Sequence, residues 1–305
     1  INELDKSNVE VFLETLVGTI ENSAVVIVRN GESAKRLSYK KLLISPGAYD
    51  RPVAFPGWTL PGVITAGAAQ SLVKTQRVNP GSRIFFAGSG PLALAFPAQL
   101  SGYGANIVGI IEAAPRPGIF KALRILLAVI GNLDLMRDAA KYQFHLISNH
   151  IPMTYRRIIV SANGKDRVES VTHAKVDKNW RVIPGTEKTV EVDALCIGYG
   201  FFPSVELFRL LDCELEYEES RGGAVVKLDN WGATSVANVF GAGDGTGISG
   251  SYVAIARGRL AALKIAAELG KISEKSLSIL AAGYQRTFSQ RTKFQRAINN
   301  AYEIK

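Results

Sequence analysis

The sequence predicts an α/β protein built from Rossmann-like strand–turn–helix units, and three observations predict it. An apolar strand at 83–87 runs into Gly88-Ser89-Gly90-Pro91 and then a helical stretch from 92 to 103. The same order returns where a strand at 236–240 meets Gly241-Ala242-Gly243-Asp244-Gly245 and a helix follows at 251–269. Charge is also partitioned: net 0 over residues 1–56, +9 over 57–190, −5 over 191–270 and +5 over 271–305. Separate structural units follow from that partition.

The 305 residues are 47% hydrophobic and 21% charged, the balance of a globular chain long enough for two compact domains. No apolar run reaches the ~18 residues of a membrane span. The nearest, 119–130, is broken by Lys121 and Arg124, so no transmembrane segment is expected and a cytoplasmic placement is. Cys196 and Cys213 are the only cysteines. They exclude a disulfide scaffold, a C-x-x-C redox pair and a cysteine-held cluster or zinc within these residues. The basic middle suits phosphates. It lacks the interleaved aromatics of a strand-binding surface, so nucleic acid is not an expected partner.

In chain order, residues 24–29 form a strand, Asn30-Gly31 a turn and 36–45 a second strand ending in Leu42-Leu43-Ile44. The proline- and glycine-dense passage 46–62 crosses into a new unit, with a boundary near residue 60. That unit opens with the strand, turn and helix of 83–103, followed by a buried strand at 106–112. Residues 119–147 are expected to be helical, with Leu123, Leu126, Leu127 and Ile130 at helical spacing. Residues 156–199 return to strands, turned at Asn163-Gly164 and Pro184-Gly185, with a last strand at 190–197. Gly270 stops the helix at 251–269, and 271–305 read as a polar, basic helical tail.

The two glycine turns carry different chemistry. In Gly88-x-Gly90-x-x-Ala93, Gly88 permits the tight turn and Gly90 lets the backbone approach a pyrophosphate. Ser89 and Pro91 complete the turn, and the helix behind it offers free N–H groups to phosphate. Glu112, 22 residues after Gly90, is placed to bind a ribose hydroxyl. An acid there favours NAD(H), Arg116 leaves NADP open, and ATP or ADP would use the same turn. In the second turn Asp244, heading a helix, can accept from a sugar-like hydroxyl or simply cap that helix.

From here a resemblance applies. Val239-Phe240-Gly241-Ala242-Gly243-Asp244, with Gly250 and Ala254 beyond it, resembles the second FAD motif of the two-dinucleotide-domain, pyridine nucleotide-disulfide oxidoreductase-like flavoproteins. The segment Ile44-Ser45-Pro46-Gly47-Ala48 resembles their crossover, with Ser-Pro-Gly replacing Ala-Thr-Gly. Narrower still is 47–70, through Phe55-Pro56-Gly57-Trp58 and Leu60-Pro61-Gly62. It resembles the alpha (A) subunits of opine oxidases, hydrogen cyanide synthase, dye-linked proline dehydrogenase and heteromeric sarcosine oxidases. The resemblance covers about 36 to 270. It implies an FAD-binding domain from 1–60 and 191–270, interrupted by an inserted NAD(P)-type domain at 61–190, with a helical tail at 271–305. It also implies that FAD meets Gly47, Ala48, Gly241, Gly243, Asp244, Gly245 and Gly250. Relatives carry a first FAD glycine motif well upstream of the crossover. Only 46 residues precede Gly47 here, so the N-terminal FAD motif is expected to be missing and the chain to be a portion that purifies without flavin and aggregates.

The expected function is an FAD-dependent oxidoreductase subunit of a heteromeric amine or amino-acid dehydrogenase or oxidase. The expected partners are a small-molecule amine and a second flavoprotein subunit. A stand-alone NADH-dependent flavin reductase and a non-catalytic nucleotide-binding scaffold subunit remain alternatives. No metal is expected, because His145, His150 and His173 lack the spacing of a metal site. No catalytic acid or base stands out, as suits chemistry carried by a cofactor.

Overall fold

A computed structural model of the chain describes residues 6–21, 23–29, 33–116, 118 and 133–301. Its centre is a five-stranded parallel sheet, ordered β6-β13-β7-β8-β9. The strands are β6 (Val63–Thr65), β7 (Ile84–Gly88), β8 (Ile107–Glu112), β9 (Met153–Tyr155) and β13 (Ala194–Gly198). Parallel strands covered on both faces read as unbroken apolar runs rather than alternating ones. So it is here: every residue of β7 and of β13 is buried.

Successive side chains of β7 serve opposite layers. Phe86 packs with Phe96, Leu100 and Leu146, on the side of α1 (Ala66–Ser71), α2 (Leu92–Gly102) and α3 (Leu133–Ser148). Phe85 points the other way, among Ile111, Ile159, Val171 and Leu195. There the antiparallel sheet β10 (Arg157–Asn163), β11 (Ser170–Lys175) and β12 (Lys188–Glu191) covers the parallel one. The expected turn at Asn163-Gly164 does join β10 to β11. Of the helix expected at 119–147, Leu123, Leu126, Leu127 and Ile130 lie outside the described residues, and α3 accounts for the rest.

Outside this layer, β1 (Thr15–Glu21), β2 (Ala24–Arg29) and β3 (Lys35–Ser38) form an antiparallel sheet. β1 has no counterpart in the sequence reading, and Asn30-Gly31 lies outside the described residues. The strand expected at 36–45 is two strands in two sheets. Tyr39 donates its N–H to Ser23 O, ending β3. Lys41 then turns in to Glu268 and Asn238, and β4 (Leu42–Ile44) pairs in parallel with β17 (Val239–Gly241). The crossover pair is β5 (Ala48–Asp50) against β14 (Phe201–Pro203). α4 (Glu206–Leu210), β15 (Leu215–Glu218) and β16 (Gly223–Val226) follow. α5 (Ser251–Glu268) and α6 (Glu274–Ala301) close the chain. α6 is no free tail: Arg257 lies over the Phe288 ring at 4.8 Å and Arg259 over Tyr284 at 5.1 Å.

β13 at 194–198 is a central strand of the parallel sheet, paired with both β6 and β7. Its five buried residues fit only a position covered on two faces. The strand expected at 190–197 is therefore divided at Asp193, whose carboxylate accepts from the N–H groups of Ser82 (2.9 Å) and Arg83 (2.7 Å). Asp193→Ala is expected to lower stability by about 1–2 kcal/mol, because two amide donors lose a charged acceptor near the surface. A urea melt with an unchanged midpoint would remove this role.

Candidate functional site

The β4–β17 pairing brings distant glycine segments together. Gly241 stands opposite Ile44, and Ala242 donates its N–H to Ile44 O at 3.1 Å. Gly243 has φ +75°, and a Cβ there would lie 2.9 Å from Ser45 Oγ. A Cβ at Gly245 would come within 2.7 Å of Pro46 Cδ and 3.2 Å of Gly47 O. Five of the residues expected to meet FAD, Gly47, Gly241, Gly243, Asp244 and Gly245, thus gather at one seam. Ala48 lies next to it in β5, across from Pro203.

Asp244 does not head the helix. It begins a single turn of 3-10 helix, residues 244–246, closed by Thr246 Oγ1 donating to Gly243 O at 2.8 Å. α5 starts at Ser251, with Gly250 at its cap and no side chain capping it. The capping alternative for Asp244 is thereby removed, because five residues intervene. Gly250 sits apart from the seam, its Cβ position 3.4 Å from Gln295 Oε1 on α6.

What remains is a carboxylate with unused capacity. Asp244 Oδ1 is buried and has no hydrogen-bond partner among the described residues. Burial pushes the carboxyl above the usual aspartate range, against the pull of the Ser249 amide. A buried acceptor left unmade is costly, so the site has capacity for one more donor. A polyol chain is such a donor. The residues therefore fit the ribityl part of FAD, with Asp244 accepting and residues 241–245 admitting a close backbone approach.

The second cluster lies at the carboxyl ends of β7 and β8, where parallel sheets bind their ligands. Gly88 pairs with Glu112 in register and lies against the Gly198 carbonyl, leaving no space for a side chain. Ser89 donates its N–H to that carbonyl at 3.1 Å. Pro91 precedes α2, and Gly90 O receives the Ala93 N–H at 3.1 Å. Glu112 turns inward. Its oxygens accept from Gly90 N–H at 2.9 Å and Ala114 N–H at 2.7 Å, and the residue has 0% exposure. Burial lifts its carboxyl to about 7, opposed by the Ala114 amide, the Ser89 side chain and the Gly90 amide.

Tyr199, which the sequence reading passed over, is pushed up by burial and feels the Glu112 charge. Its place in Gly198-Tyr199-Gly200, at the end of a predicted strand beside a glycine turn, was the available signal. Among the histidines, His173 is buried against Arg157, 3.0 Å from Nδ1 to Nη1. Burial first, then Arg157, hold it down at about 4.

Comparison with known proteins adds the family. Residues 1–125 and 140–267 match the profile described as pyridine nucleotide-disulphide oxidoreductase. Hydrogen cyanide synthase subunit HcnB of Pseudomonas protegens is 30% identical over 284 residues, 93% of this chain and 60% of that protein. The first of two opine oxidase relatives from Rhizobium meliloti, that of strain 1021, is 31% identical over 275 residues, 89% of this chain and 58% of that protein. L-proline dehydrogenase from P. horikoshii superposes with a TM-score of 0.60 at 18% identity, over 92% of this chain and 45% of that one. The last likeness is one of fold. The chain spans 60% or less of the length of these curated relatives. Among the described residues no helix is long and apolar enough to cross a membrane.

Proposed function

We propose that this chain, which belongs to the pyridine nucleotide-disulphide oxidoreductase family, is the flavin-holding part of a subunit in a heteromeric amine or amino-acid dehydrogenase or oxidase. Members of the family are oxidoreductases that bind FAD and NAD(P)H. The observation that carries the flavin reading is Asp244, whose buried Oδ1 lacks a donor at the seam of residues 45–47 and 241–245. The subunit reading is supported by relatives that are themselves named as subunits. Their printed names, hydrogen cyanide synthase and opine oxidase, suggest a substrate with an oxidisable carbon–nitrogen bond.

In this reading the chain binds and orients. Asp244 accepts from a ribityl hydroxyl, and residues 241–245 admit the cofactor backbone. The seven glycines and neighbours expected to meet FAD stay with that role, as do Gly88, Ser89, Gly90, Pro91 and Glu112 with a second, adenine nucleotide. When bound, the flavin supplies the two-electron acceptor. No side chain of the seam is assigned a proton transfer.

The test is to purify the full-length subunit with and without a co-encoded partner, and to follow flavin bleaching at its visible absorbance. Reduction by a secondary amine only when the partner is present is expected. Fast reduction of the isolated subunit by NADH would favour a stand-alone reductase. An assembly reduced by amines with no flavin on this subunit would favour a nucleotide-binding scaffold.

A further inference from the structure

One residue of α6, Arg291, touches both α3 and α5. Arg291 makes a bidentate pair with Asp134, Nη1 to Oδ1 at 3.0 Å and Nη2 to Oδ2 at 2.9 Å. Asp134 lies in the first turn of α3, a helix of the middle layer, 157 residues away in sequence. The same guanidinium stacks over the Tyr252 ring, 4.4 Å from its centroid, and its side chain is only 16% exposed. Tyr252 is in the first turn of α5. One turn further along α6, Gln295 meets Gly250, the residue where the 241–250 segment enters α5. Planar charge, fork geometry and ring face are all used at once, which a lysine cannot reproduce.

We infer that α6 is a strap, with Arg291 as a positioning residue that fixes the N-terminus of α5 and the adjoining glycine segment relative to α3. The strap follows from these contacts alone. Its consequence for cofactor binding rests on the reading of 241–250 as flavin-holding. Coupling of this kind needs an element whose two arrangements both sites feel. The docked and undocked α6 are those arrangements, since one guanidinium holds both Asp134 and the Tyr252 ring.

Hydrogen exchange on the full-length protein without added cofactor tests the strap. Reporters are the amides of α3 and the Ala254 amide, which donates to Gly250 O at 3.1 Å; the buried strand β7 is the control. Arg291→Gln is expected to speed exchange at both reporters by about tenfold, the response to a ~1.4 kcal/mol local opening. Asp134→Asn, at a more exposed carboxylate, should speed α3 alone. The exchanged pair, Asp134→Arg with Arg291→Asp, should recover α3 but leave Ala254 fast, because no cation remains over Tyr252.

Unchanged exchange at both reporters overturns the strap, and so does an equal rise in β7, which would mean general unfolding. FAD release supplies the separate readout. Faster release from Arg291→Gln than from Asp134→Asn is expected. Raised exchange with unaltered release would leave the strap standing and count against 241–250 as the flavin-holding segment.

Discussion

Asp244→Asn is expected to weaken FAD binding by the full-length protein by about tenfold to a hundredfold, while its flavin-free form becomes more stable at alkaline pH. The first effect follows from exchanging a charged acceptor for a neutral one: a hydrogen bond to a charged group contributes about 1.5–3 kcal/mol, and each 1.4 kcal/mol is tenfold in affinity. The second follows from the same carboxylate without its ligand. Burial raises the Asp244 pKa, so in the apoprotein the charged form is the penalised one. The sign is then fixed. Stability from this group is fully present below the ordinary aspartate pKa and is lost as pH rises through the raised one. Asparagine keeps an acceptor for Ser249 and removes the charge. The variant and wild type should melt together in acid and separate above it, with the variant higher. Titration of apoprotein with FAD, beside thermal melts at two pH values, measures both. Loss of stability together with loss of FAD would make Asp244 a structural residue and remove it from the site.

The opposite signs of those effects mark what the sequence could and could not show. Both glycine turns were legible, because strand, turn and helix are adjacent in sequence and each is written in local residue types. So was the meeting of residues 44–48 with 241–245, but only through resemblance. The partner of β4 lies almost two hundred residues away, and nothing local announces it. β1 was missed because Gly18 and the exposed Leu16 and Val17 spoil the alternation by which a half-buried strand is recognised. The 36–45 strand was over-extended because hydrophobicity continues through a change of sheet. Asp244 was placed at the head of the following helix, with capping as an alternative to its hydroxyl role, because glycines 245, 247 and 250 between it and α5 have no periodicity. Arg291 was invisible. Two partners on two other elements, Asp134 on α3 and Tyr252 on α5, define it, and a basic residue in a polar helix reads like any solvated charge.

Glu112 gives the larger stability effect. Between about pH 4.5 and 7 the folded protein holds a proton on this carboxyl that the unfolded chain has released, because burial raises it from 4.5 to about 7. The contribution is therefore fully present below 4.5 and is lost as pH rises through 7. At 1.36 kcal/mol per unit, the interval is worth about 3 kcal/mol. Glu112→Gln has no proton to lose. Its stability relative to wild type should rise by about 3 kcal/mol from pH 4.5 to 8, read from urea midpoints across the range. A constant difference would show that the carboxyl titrates in its ordinary range.

The nucleotide site proposed at residues 88–91 makes the same group an expected partner in binding. Gly90 N–H, which in such a turn faces a pyrophosphate, is taken by Glu112 Oε2 at 2.9 Å. A phosphate that claims this amide removes one of the donors holding the ionised carboxylate and adds a negative charge nearby. Both changes raise the Glu112 pKa further. Binding of an adenine dinucleotide near pH 7 should therefore take up protons, and calorimetry in buffers of different ionisation enthalpy would count them. Glu112→Gln should abolish the uptake. Uptake that survives the substitution would place the proton on another group. Binding with no uptake in the wild type would mean that the ligand leaves the Gly90–Glu112 bond intact.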